Sequence, residues 1–254
     1  MIEDQILGID VGASGIKGAI VNVKTGELVT ERFRVPTPFP SKPKAVAKSI
    51  SEVVNHFDWK GLIGVGFPAI IQNGVAKTAA NIDKKWIGTN VEELLSEATG
   101  CPVYVRNDAD VAGIAELQFG AGKGAKGTVI LITIGSGLGS AVFTNGVLLP
   151  NSELGHLKFK GMIAEHYAAD SIRKRLELSW GDWGKRFNEY LQHLELLFSP
   201  DLILLGGGSS KKFDKYKNLL KVESPVVPAQ LLNHAGIIGA AFLASSQKEK
   251  TLTS

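Results

Sequence analysis

Cysteine is almost absent from this 254-residue sequence, in which Cys101 stands alone. A single cysteine cannot form a disulfide within its own chain, and a zinc site built from several cysteines is excluded as well. Long apolar runs are also missing, since none approaches the roughly 18 residues that a membrane-spanning helix needs. The first residues, MIEDQ, lack the basic start of a signal peptide. We therefore expect a cytoplasmic protein with no membrane partner.

Neither sign of charge dominates, because 28 Lys and Arg residues against 25 Asp and Glu residues give a net charge of +3. With 44% hydrophobic residues, the chain is long enough to bury the core of one large domain or two modest ones. The lysines are nevertheless clustered, at Lys84 and Lys85, at Lys158 and Lys160, and at Lys211, Lys212, Lys215, Lys217 and Lys221. Most such runs are solvated faces, and the alternative is an anionic partner.

Strand-like and helical patterns alternate along the chain, which predicts an α/β fold. Runs rich in Ile, Val and Leu predict strands at 6–9, 17–23, 62–66, 102–105, 128–134, 140–143 and 202–205. Helical patterns occupy 43–57, 90–99, 109–118, 164–178 and 184–198, and small residues predict a closely packed helix at 234–246.

A strand–turn–strand pattern occurs twice, as GIDVGASGIKGAIV (8–21) and LITIGSGLGSAVF (131–143). The repeat aligns Asp10 and Gly12 with Thr133 and Gly135, which suggests two halves of related architecture. Glycine permits a turn with positive φ and lets backbone N–H groups approach a ligand, and successive N–H groups form a concave anion site. Each turn alone is more simply a tight hairpin, but the pair favours phosphate binding.

Side chains beside the two turns add to this hypothesis. Ser14 and Ser136 provide hydroxyl donors, and Asp10 is suited to hold the water shell of a magnesium ion. A third glycine-rich stretch, LGGGSS (205–210), follows a buried strand and precedes a lysine-rich segment predicted to be helical. Such a helix N-terminus accepts an anion or a nucleotide, although this signal is weak by itself.

Polar residues at two further places are candidates for the reacting groups. Asn107 and Asp108 follow a predicted strand at the start of a helix, where a carboxylate points into the ligand crevice of an α/β sheet. Helix capping explains the same pair, since Asn and Asp are common caps. In NSELGHLKF (151–159), Glu153 and His156 are suited to hold hydroxyl groups, and an ordinary surface loop is the alternative.

Taken together, these segments resemble the sugar kinases of the ROK family, within the actin/hexokinase/Hsp70 ATPase superfamily. The resemblance covers nearly the whole chain through DVGASGIKGA, GVGFPA, AANIDKKWIG, NDADVAGIAE, ITIGSGLGSA, ELGH and LGGGSS, in that order. It implies a two-domain, actin-like (ribonuclease H-like) α/β fold with a ligand cleft between the domains. The expected domains are 1–108 with 236–254, and 109–235.

The resemblance also implies a role for each matching residue. Asp108 matches the general base, and Asn107, Glu153 and His156 match groups that bind sugar hydroxyls, with Asn81 and Glu165 as weaker matches. The first phosphate loop comprises Asp10, Gly12, Ser14, Gly15 and Lys17, and the second comprises Thr133, Gly135, Ser136 and Gly137. The adenosine-side loop comprises Gly206, Gly207, Gly208 and Ser209.

The stretch after ELGH departs from the common ROK pattern, because LKFKGMIAEHYAAD lacks the family's cysteine-rich zinc loop. We therefore expect Mg²⁺ near Asp10 and no zinc. The same stretch, with the sequence around LGGG, looks most like the polyphosphate glucokinase branch, in which inorganic polyphosphate donates phosphate with or without ATP. A lysine lane would suit this long anion, by analogy with nucleic-acid backbones.

The resemblance thus implies transfer of a terminal phosphoryl group from polyphosphate, with or without ATP as a second donor, to the 6-hydroxyl of glucose by a homodimer. An ATP-only hexose or N-acetylmannosamine kinase is the alternative enzyme, and a non-catalytic sugar sensor is the alternative of another class. A DNA-binding regulator would need an added helix-turn-helix, yet seven residues precede Gly8, so no nucleic-acid partner is expected.

Overall fold

The computed structural model describes residues 4–253 of the chain. Its contacts divide the chain into two compact units. The first unit contains the residues up to Ala115 and those from His234 onwards, and the second contains Glu116–Asn233. Their boundary lies inside a helix that begins at Asp108. The sequence-based limits, 1–108 with 236–254 and 109–235, stay a prediction beside this division.

The first unit is built on a six-stranded sheet in the order β3-β2-β1-β5-β8, with β4 also paired to β2. Its strands are β1 (Gln5–Val11), β2 (Ile16–Asn22), β3 (Glu27–Leu28), β4 (Phe33–Val35), β5 (Ile63–Phe67) and β8 (Val103–Asn107), and β6 (Ile71–Gln72) and β7 (Val75–Ala76) form a separate hairpin. Its helices are α1 (Pro43–His56), α2 (Val91–Thr99), the start of α3 (Asp108–Phe119) and α7 (Ala235–Thr253), with a 3₁₀ turn at Lys84–Trp86.

Small residues allow α7 to pack directly on this sheet. A Cβ added to Gly8 on β1 or Gly64 on β5 would overlap the backbone carbonyls of Ile237 and Ala240 on α7. This close approach confirms the prediction of a closely packed helix at 234–246.

The second unit repeats this design with a five-stranded sheet in the order β11-β10-β9-β14-β15. Its strands are β9 (Thr128–Ile134), β10 (Leu138–Thr144), β11 (Val147–Leu149), β14 (Leu202–Gly206) and β15 (Val226–Pro228), and β12 (Lys158–Phe159) and β13 (Met162–Ile163) form a small hairpin. Its helices are α4 (Glu165–Ala168), α5 (Asp170–Arg175) and α6 (Trp180–Phe198), with 3₁₀ segments at Leu154–His156, Gly208–Lys215, Lys217–Leu219 and, across the unit boundary, Leu232–His234.

The two sheets share one strand pattern. In each unit a seven-residue antiparallel hairpin, β1–β2 or β9–β10, lies beside a parallel strand, β5 or β14. The predicted repeat of a strand–turn–strand is therefore confirmed, as is the α/β fold.

Three helix predictions in the second unit are wrong in detail. The helix expected at 164–178 is interrupted at Ala169, whose ψ of 156° is extended, so that α4 and α5 are separate. The segment after LGGGSS forms 3₁₀ turns, and Lys212 in it departs from helical geometry. The helix expected at 184–198 instead begins at Trp180, because the Ser179 hydroxyl caps it by accepting a hydrogen bond from the Asp182 N–H at 3.0 Å.

Within residues 4–253, no helix combines the length and the apolar character that crossing a membrane requires.

Candidate functional site

The first hairpin turn brings an acid and a cation together at the end of the sheet of the first unit. The turn between β1 and β2 spans residues 12–15 and is closed by a hydrogen bond from the Gly12 N–H to the Gly15 carbonyl at 3.1 Å. Strand pairing places Asp10 opposite Lys17, whose Nζ lies 3.4 Å from Asp10 Oδ2. The predicted grouping of Asp10 and Lys17 at this turn is therefore present.

Burial affects the pKa of Asp10, whose side chain is 22% exposed. Desolvation raises the pKa of this carboxyl above its ordinary value, while Lys17 and Arg32 oppose the rise by stabilising the carboxylate. Gly236 of α7 contributes to the burial, since a Cβ at that position would lie 3.0 Å from Asp10 Cγ.

Two residues that the sequence analysis missed fix the carbonyl oxygens of this turn. The Thr37 hydroxyl donates to the Gly12 carbonyl at 2.6 Å, and Arg34 Nη2 donates to the Ser14 carbonyl. Both residues belong to RVPTP (34–38), a segment to which the sequence analysis assigns no role. The signal available was a cation and a hydroxyl three residues apart, and it is too common in sequences to be specific.

The second hairpin turn, between β9 and β10, is one residue shorter and spans residues 135–137. The Gly135 N–H donates to the Gly137 carbonyl at 3.0 Å. Ser171 at the start of α5 holds this turn, because its hydroxyl donates to the Ser136 carbonyl at 2.6 Å and its N–H to the Gly135 carbonyl at 3.2 Å. Sequence reasoning also missed Ser171.

The turn glycines do not have the backbone conformation that the sequence analysis expected. Gly12, Gly15, Gly135 and Gly137 all lie in the described part of the chain, and none of them has a positive φ. The expectation of positive φ in these turns is therefore wrong. Close packing explains two of them instead. A Cβ on Gly15 would lie 2.7 Å from Arg34 Cζ, and one on Gly137 would overlap a carboxylate oxygen of Glu165.

Donor groups of both turns are available for an anion. Among residues 4–253, no hydrogen bond is found to the backbone N–H groups of Ala13, Ser14 or Ser136. A Cβ on Gly135 would meet no atom within 4 Å, so the space beside this residue is open. Unbonded N–H groups beside open space can bind phosphate oxygens.

The third glycine-rich loop lies next to the second turn within the same unit. Gly206 pairs with Thr133, and Gly207, at φ 76°, packs so closely on the backbone of Ile134 that only glycine fits. The Ser209 hydroxyl is buried and has no hydrogen-bond partner in the described residues. This loop therefore carries one unused polar group next to the turn predicted to bind phosphate.

Asn107 and Asp108 lie where β8 ends and α3 begins. Asn107 is 7% exposed, and its Oδ1 accepts hydrogen bonds from the N–H groups of Ala109 at 2.9 Å and Asp110 at 3.2 Å. Its Nδ2 donates to the Ala69 carbonyl at 3.3 Å. Capping thus occupies the oxygen of Asn107, and only its amide N–H₂ group can reach a sugar. Asp108 is half-buried, and its Oδ1 also accepts from the Ala109 N–H, at 2.8 Å.

Glu153, His156 and Glu165 are brought together in the second unit. Glu153 Oε2 lies 3.2 Å from His156 Nδ1, and Glu165 Oε1 lies 3.6 Å from His156 Nε2. Burial raises the pKa of Glu153, with His156 opposing and Glu165 adding to the rise. Glu165 Oε2 also accepts from the Leu138 N–H at 3.3 Å, so this carboxylate connects the His156 cluster to the second turn.

A cavity of about 300 Å³ in the first unit contains the remaining predicted sugar ligand, Asn81. It lies between the first turn, at Gly12, and the 3₁₀ turn that ends at Trp86. Hydroxyl groups of Thr37 and Ser41 also line it. Asp83 lines it as well, and a few polar groups on an otherwise apolar wall are typical of a site for a small polar ligand.

The lysine clusters differ in how far their charges are engaged. Lys160 Nζ lies 2.5 Å from Glu189, Lys84 Nζ donates to the Ala79 carbonyl at 2.7 Å, and Lys217 Nζ lies 2.6 Å from Asp214. Lys211, Lys212 and Lys215 are exposed on the 3₁₀ segment that follows the third glycine loop. This segment has the densest exposed positive charge of the three predicted clusters.

Metal ligands are sparse in the described residues, where no group of three or more His, Cys, Asp or Glu side chains is arranged to hold a metal ion. Mg²⁺ does not need such a group, because it keeps several waters and is bound through one or two carboxylates together with substrate phosphates. Asp10, a carboxylate beside a phosphate-type turn, fits that mode. The expectation that zinc is not used stays a prediction.

Comparisons with known proteins agree on one family. The ROK family model matches residues 6–169. The chain is 50% identical over 236 residues to a polyphosphate glucokinase of Mycobacterium tuberculosis (strain CDC 1551 / Oshkosh). This alignment covers 92% of the present chain and 89% of the relative.

Solved structures are similar over the same length. The inorganic polyphosphate/ATP-glucomannokinase of Arthrobacter sp. strain KM matches with a TM-score of 0.92 and 48% identity, over 96% of this chain and 99% of that one. A ROK family glucokinase from Streptomyces griseus, solved with glucose and AMPPNP, matches with a TM-score of 0.80 and 23% identity over 95% and 99% of the two chains. The second likeness supports the fold alone.

Proposed function

The chain belongs to the ROK family, and from this premise we propose that it is a polyphosphate glucokinase, which transfers a terminal phosphoryl group from inorganic polyphosphate to the 6-hydroxyl of glucose. The observation that carries the proposal is the 50% identity to the Mycobacterium tuberculosis polyphosphate glucokinase over 92% of the chain. The contacts of the predicted site residues support it, since they supply the groups that phosphoryl transfer requires.

Asp108 is the proposed general base of the first unit. Phosphoryl transfer depends mainly on positioning and on neutralising charge, with one group accepting the proton of the attacking hydroxyl. The carboxylate of Asp108 is the group proposed to accept that proton. Asp108 is also the first residue of α3, where its Oδ1 accepts a hydrogen bond from the Ala109 N–H. The buried Asn107 beside it holds the start of the helix in place and offers an amide N–H₂ group to the sugar.

Asp10 is the proposed residue through which Mg²⁺ is held, by way of water. When bound, the ion neutralises charge on the phosphate oxygens as the phosphoryl group is transferred. Lys17 opposes the rise in the pKa of Asp10 that burial causes, and so favours the ionised carboxylate. The N–H groups of the first turn and the Ser14 hydroxyl bind oxygens of the phosphate donor.

In the second unit, Glu153, His156 and Glu165 are the proposed ligands of the sugar hydroxyls. A carboxylate lies beside each ring nitrogen of His156, at 3.2 Å for Glu153 and 3.6 Å for Glu165, so the imidazole is held between two acids in the absence of sugar. The turn at Gly135–Gly137 and the loop at Gly206–Ser209 bind phosphates of the phosphoryl donor. The Ser209 hydroxyl, which has no partner among the described residues, can donate a hydrogen bond there.

Use of ATP, and of mannose as acceptor, is a second proposed capacity. It is favoured by the 48% identity to a protein described as a polyphosphate/ATP-glucomannokinase. The exposed Lys211, Lys212 and Lys215 are the proposed lane for the longer donor, because their charges are the least engaged of the clusters. A homodimer in the cytoplasm is the expected form.

The test is phosphorylation of a hexose panel with polyphosphate and with ATP, each supplied alone. We expect glucose 6-phosphate from glucose and polyphosphate, and no product from either donor would overturn the proposal. In the same assay, Asp108→Asn is expected to lower kcat by about 10²–10⁴-fold, as for a lost proton acceptor, while glucose binding measured by calorimetry is retained. Near-native turnover of this variant would reject Asp108 as the base.

A further inference from the structure

Arg34 lies beside the first hairpin and is not among the predicted site residues. It lies on β4 directly opposite Lys17 on β2, and Lys17 lies directly opposite Asp10 on β1. Side chains of directly opposed residues share one face of a sheet. One acid and two cations therefore form a row across three adjacent strands, ending at the turn predicted to bind phosphate.

The guanidinium of Arg34 is fixed in place against that turn. Its Nη2 donates to the Ser14 carbonyl, and Gly15 leaves room for it, since a Cβ there would lie 2.7 Å from both Cζ and Nη2. The neighbouring Phe33 and Val35 pack against the core of the unit and anchor the strand. Arg34 is thus held by contacts on both sides, unlike an arginine extended into solvent.

The charge of Arg34 is not neutralised by the protein. Within residues 4–253, no carboxylate forms an ion pair with it, whereas Arg173 is paired with Asp170 at 2.6 Å and Lys160 with Glu189 at 2.5 Å. Ser14 uses one of the five N–H donors that a guanidinium carries, and the residue is exposed. An exposed, oriented and unpaired guanidinium beside unbonded turn N–H groups is suited to bind an anion.

We propose that Arg34 is a donor-binding residue, which binds phosphate oxygens of the polyphosphate or ATP next to Lys17. This inference rests on the proposed phosphoryl transfer. A planar guanidinium binds two phosphate oxygens at once, which a lysine cannot do. Because the same group holds the Ser14 carbonyl, Arg34 orients the turn and binds the donor with one side chain.

The experiment compares Arg34→Gln and Arg34→Lys with the unchanged enzyme, which must first form glucose 6-phosphate. Initial rates are measured against polyphosphate, ATP and glucose at several salt concentrations. For Arg34→Gln we expect the KM of polyphosphate to rise about 10-fold, a loss typical of one charge-assisted contact, and the KM of glucose to stay within about twofold. The slope of log KM against log salt should fall by about one, as for one lost phosphate contact.

Two further variants separate donor binding from a role in holding the turn. Thr37→Val removes the other tether of the turn, at the Gly12 carbonyl, without changing charge, so it should leave the salt slope unchanged. Lys48→Gln, at an exposed position of α1, controls for net charge. Arg34→Lys should keep the salt slope while raising the KM of polyphosphate. If Arg34→Gln changes neither that KM nor the slope, or lowers kcat alone, as loss of the turn's geometry without loss of a phosphate contact would, the proposal is overturned. An inactive unchanged enzyme would instead overturn the proposed function.

Discussion

The two hairpin turns share a backbone design and differ in the chemistry built on it. In both, a glycine N–H closes the turn and side chains from outside the hairpin hold its carbonyl oxygens, through Thr37 and Arg34 in the first unit and through Ser171 in the second. Tying up the carbonyls orients the peptide groups of each turn. In both turns the carbonyl oxygens are thus held from outside the hairpin, although the residues that hold them are unrelated.

Charge separates the two turns. The pair opposite one another in the first hairpin is Asp10 and Lys17, and the corresponding pair in the second is Thr133 and Gly139. The second turn instead receives a carboxylate from α4, through Glu165. The first turn is therefore suited to bind a cation together with charged phosphates, whereas the second offers its N–H groups to phosphate without a charged pair and is linked through Glu165 to the proposed sugar-binding cluster.

Substitution of the equivalent residues Asp10 and Thr133 should give the largest difference between the turns. Asp10→Asn is expected to lower kcat by about 10²–10³-fold, as when an electrostatic contact in the transition state is removed. Thr133→Val keeps the side-chain shape and removes one hydroxyl, worth about 1 kcal/mol, so kcat should fall less than about 10-fold. Both are measured with saturating polyphosphate and glucose, alongside thermal unfolding to verify folding. Equal losses in the two variants would show that the turns do not differ in the way proposed.

Alanine at the two glycines of the second turn should sharpen the comparison with a smaller effect. Gly135→Ala meets no atom within 4 Å, so its thermal midpoint should be unchanged while the added methyl raises the KM of the donor about 10-fold. Gly137→Ala pushes against the Glu165 carboxylate and should destabilise the fold by about 1–3 kcal/mol, with a raised KM of glucose. If the KM of the phosphate donor is unchanged in Gly135→Ala, the open space beside this residue is not where phosphate approaches.

The hairpins were predictable because a glycine-rich turn between two apolar strands is a local pattern. The positions of β1, β2, β9 and β10 follow from their apolar runs, although only the limits of β9 were predicted correctly. The family resemblance assigned Glu153 and His156, which lie together. Local sequence also indicated the cap formed by Asn107, which was weighed against a role in sugar binding. These features depend on residues close in sequence.

The residues that hold the turns were not predictable, because their partners are distant in sequence. Arg34 and Ser14 are 20 residues apart, and Ser171 and Ser136 are 35 apart. The break at Ala169 has the same origin, since it allows the Ser171 N–H to bond the Gly135 carbonyl rather than continue a helix. The positive φ expected of the turn glycines was wrong for a related reason, since packing against Arg34 and Glu165 requires glycine at Gly15 and Gly137 where backbone conformation does not.

The smallest expected effect is a shift in pH dependence that only the first turn should show. Burial raises the pKa of Asp10 and Lys17 opposes this rise, so Lys17→Met should raise the pKa further. Because the ionised Asp10 is the proposed holder of Mg²⁺, the acid limb of kcat/KM should move to higher pH in Lys17→Met and stay in place in Thr133→Val.

The stability of the fold should change with pH in the same variant. A carboxyl whose folded pKa is raised stabilises the fold below its unfolded pKa and loses that contribution as pH rises through the folded pKa. Lys17→Met should therefore lose more stability at neutral pH than at pH 4, measured by urea unfolding, and a deficit independent of pH would mean that Lys17 does not act through Asp10.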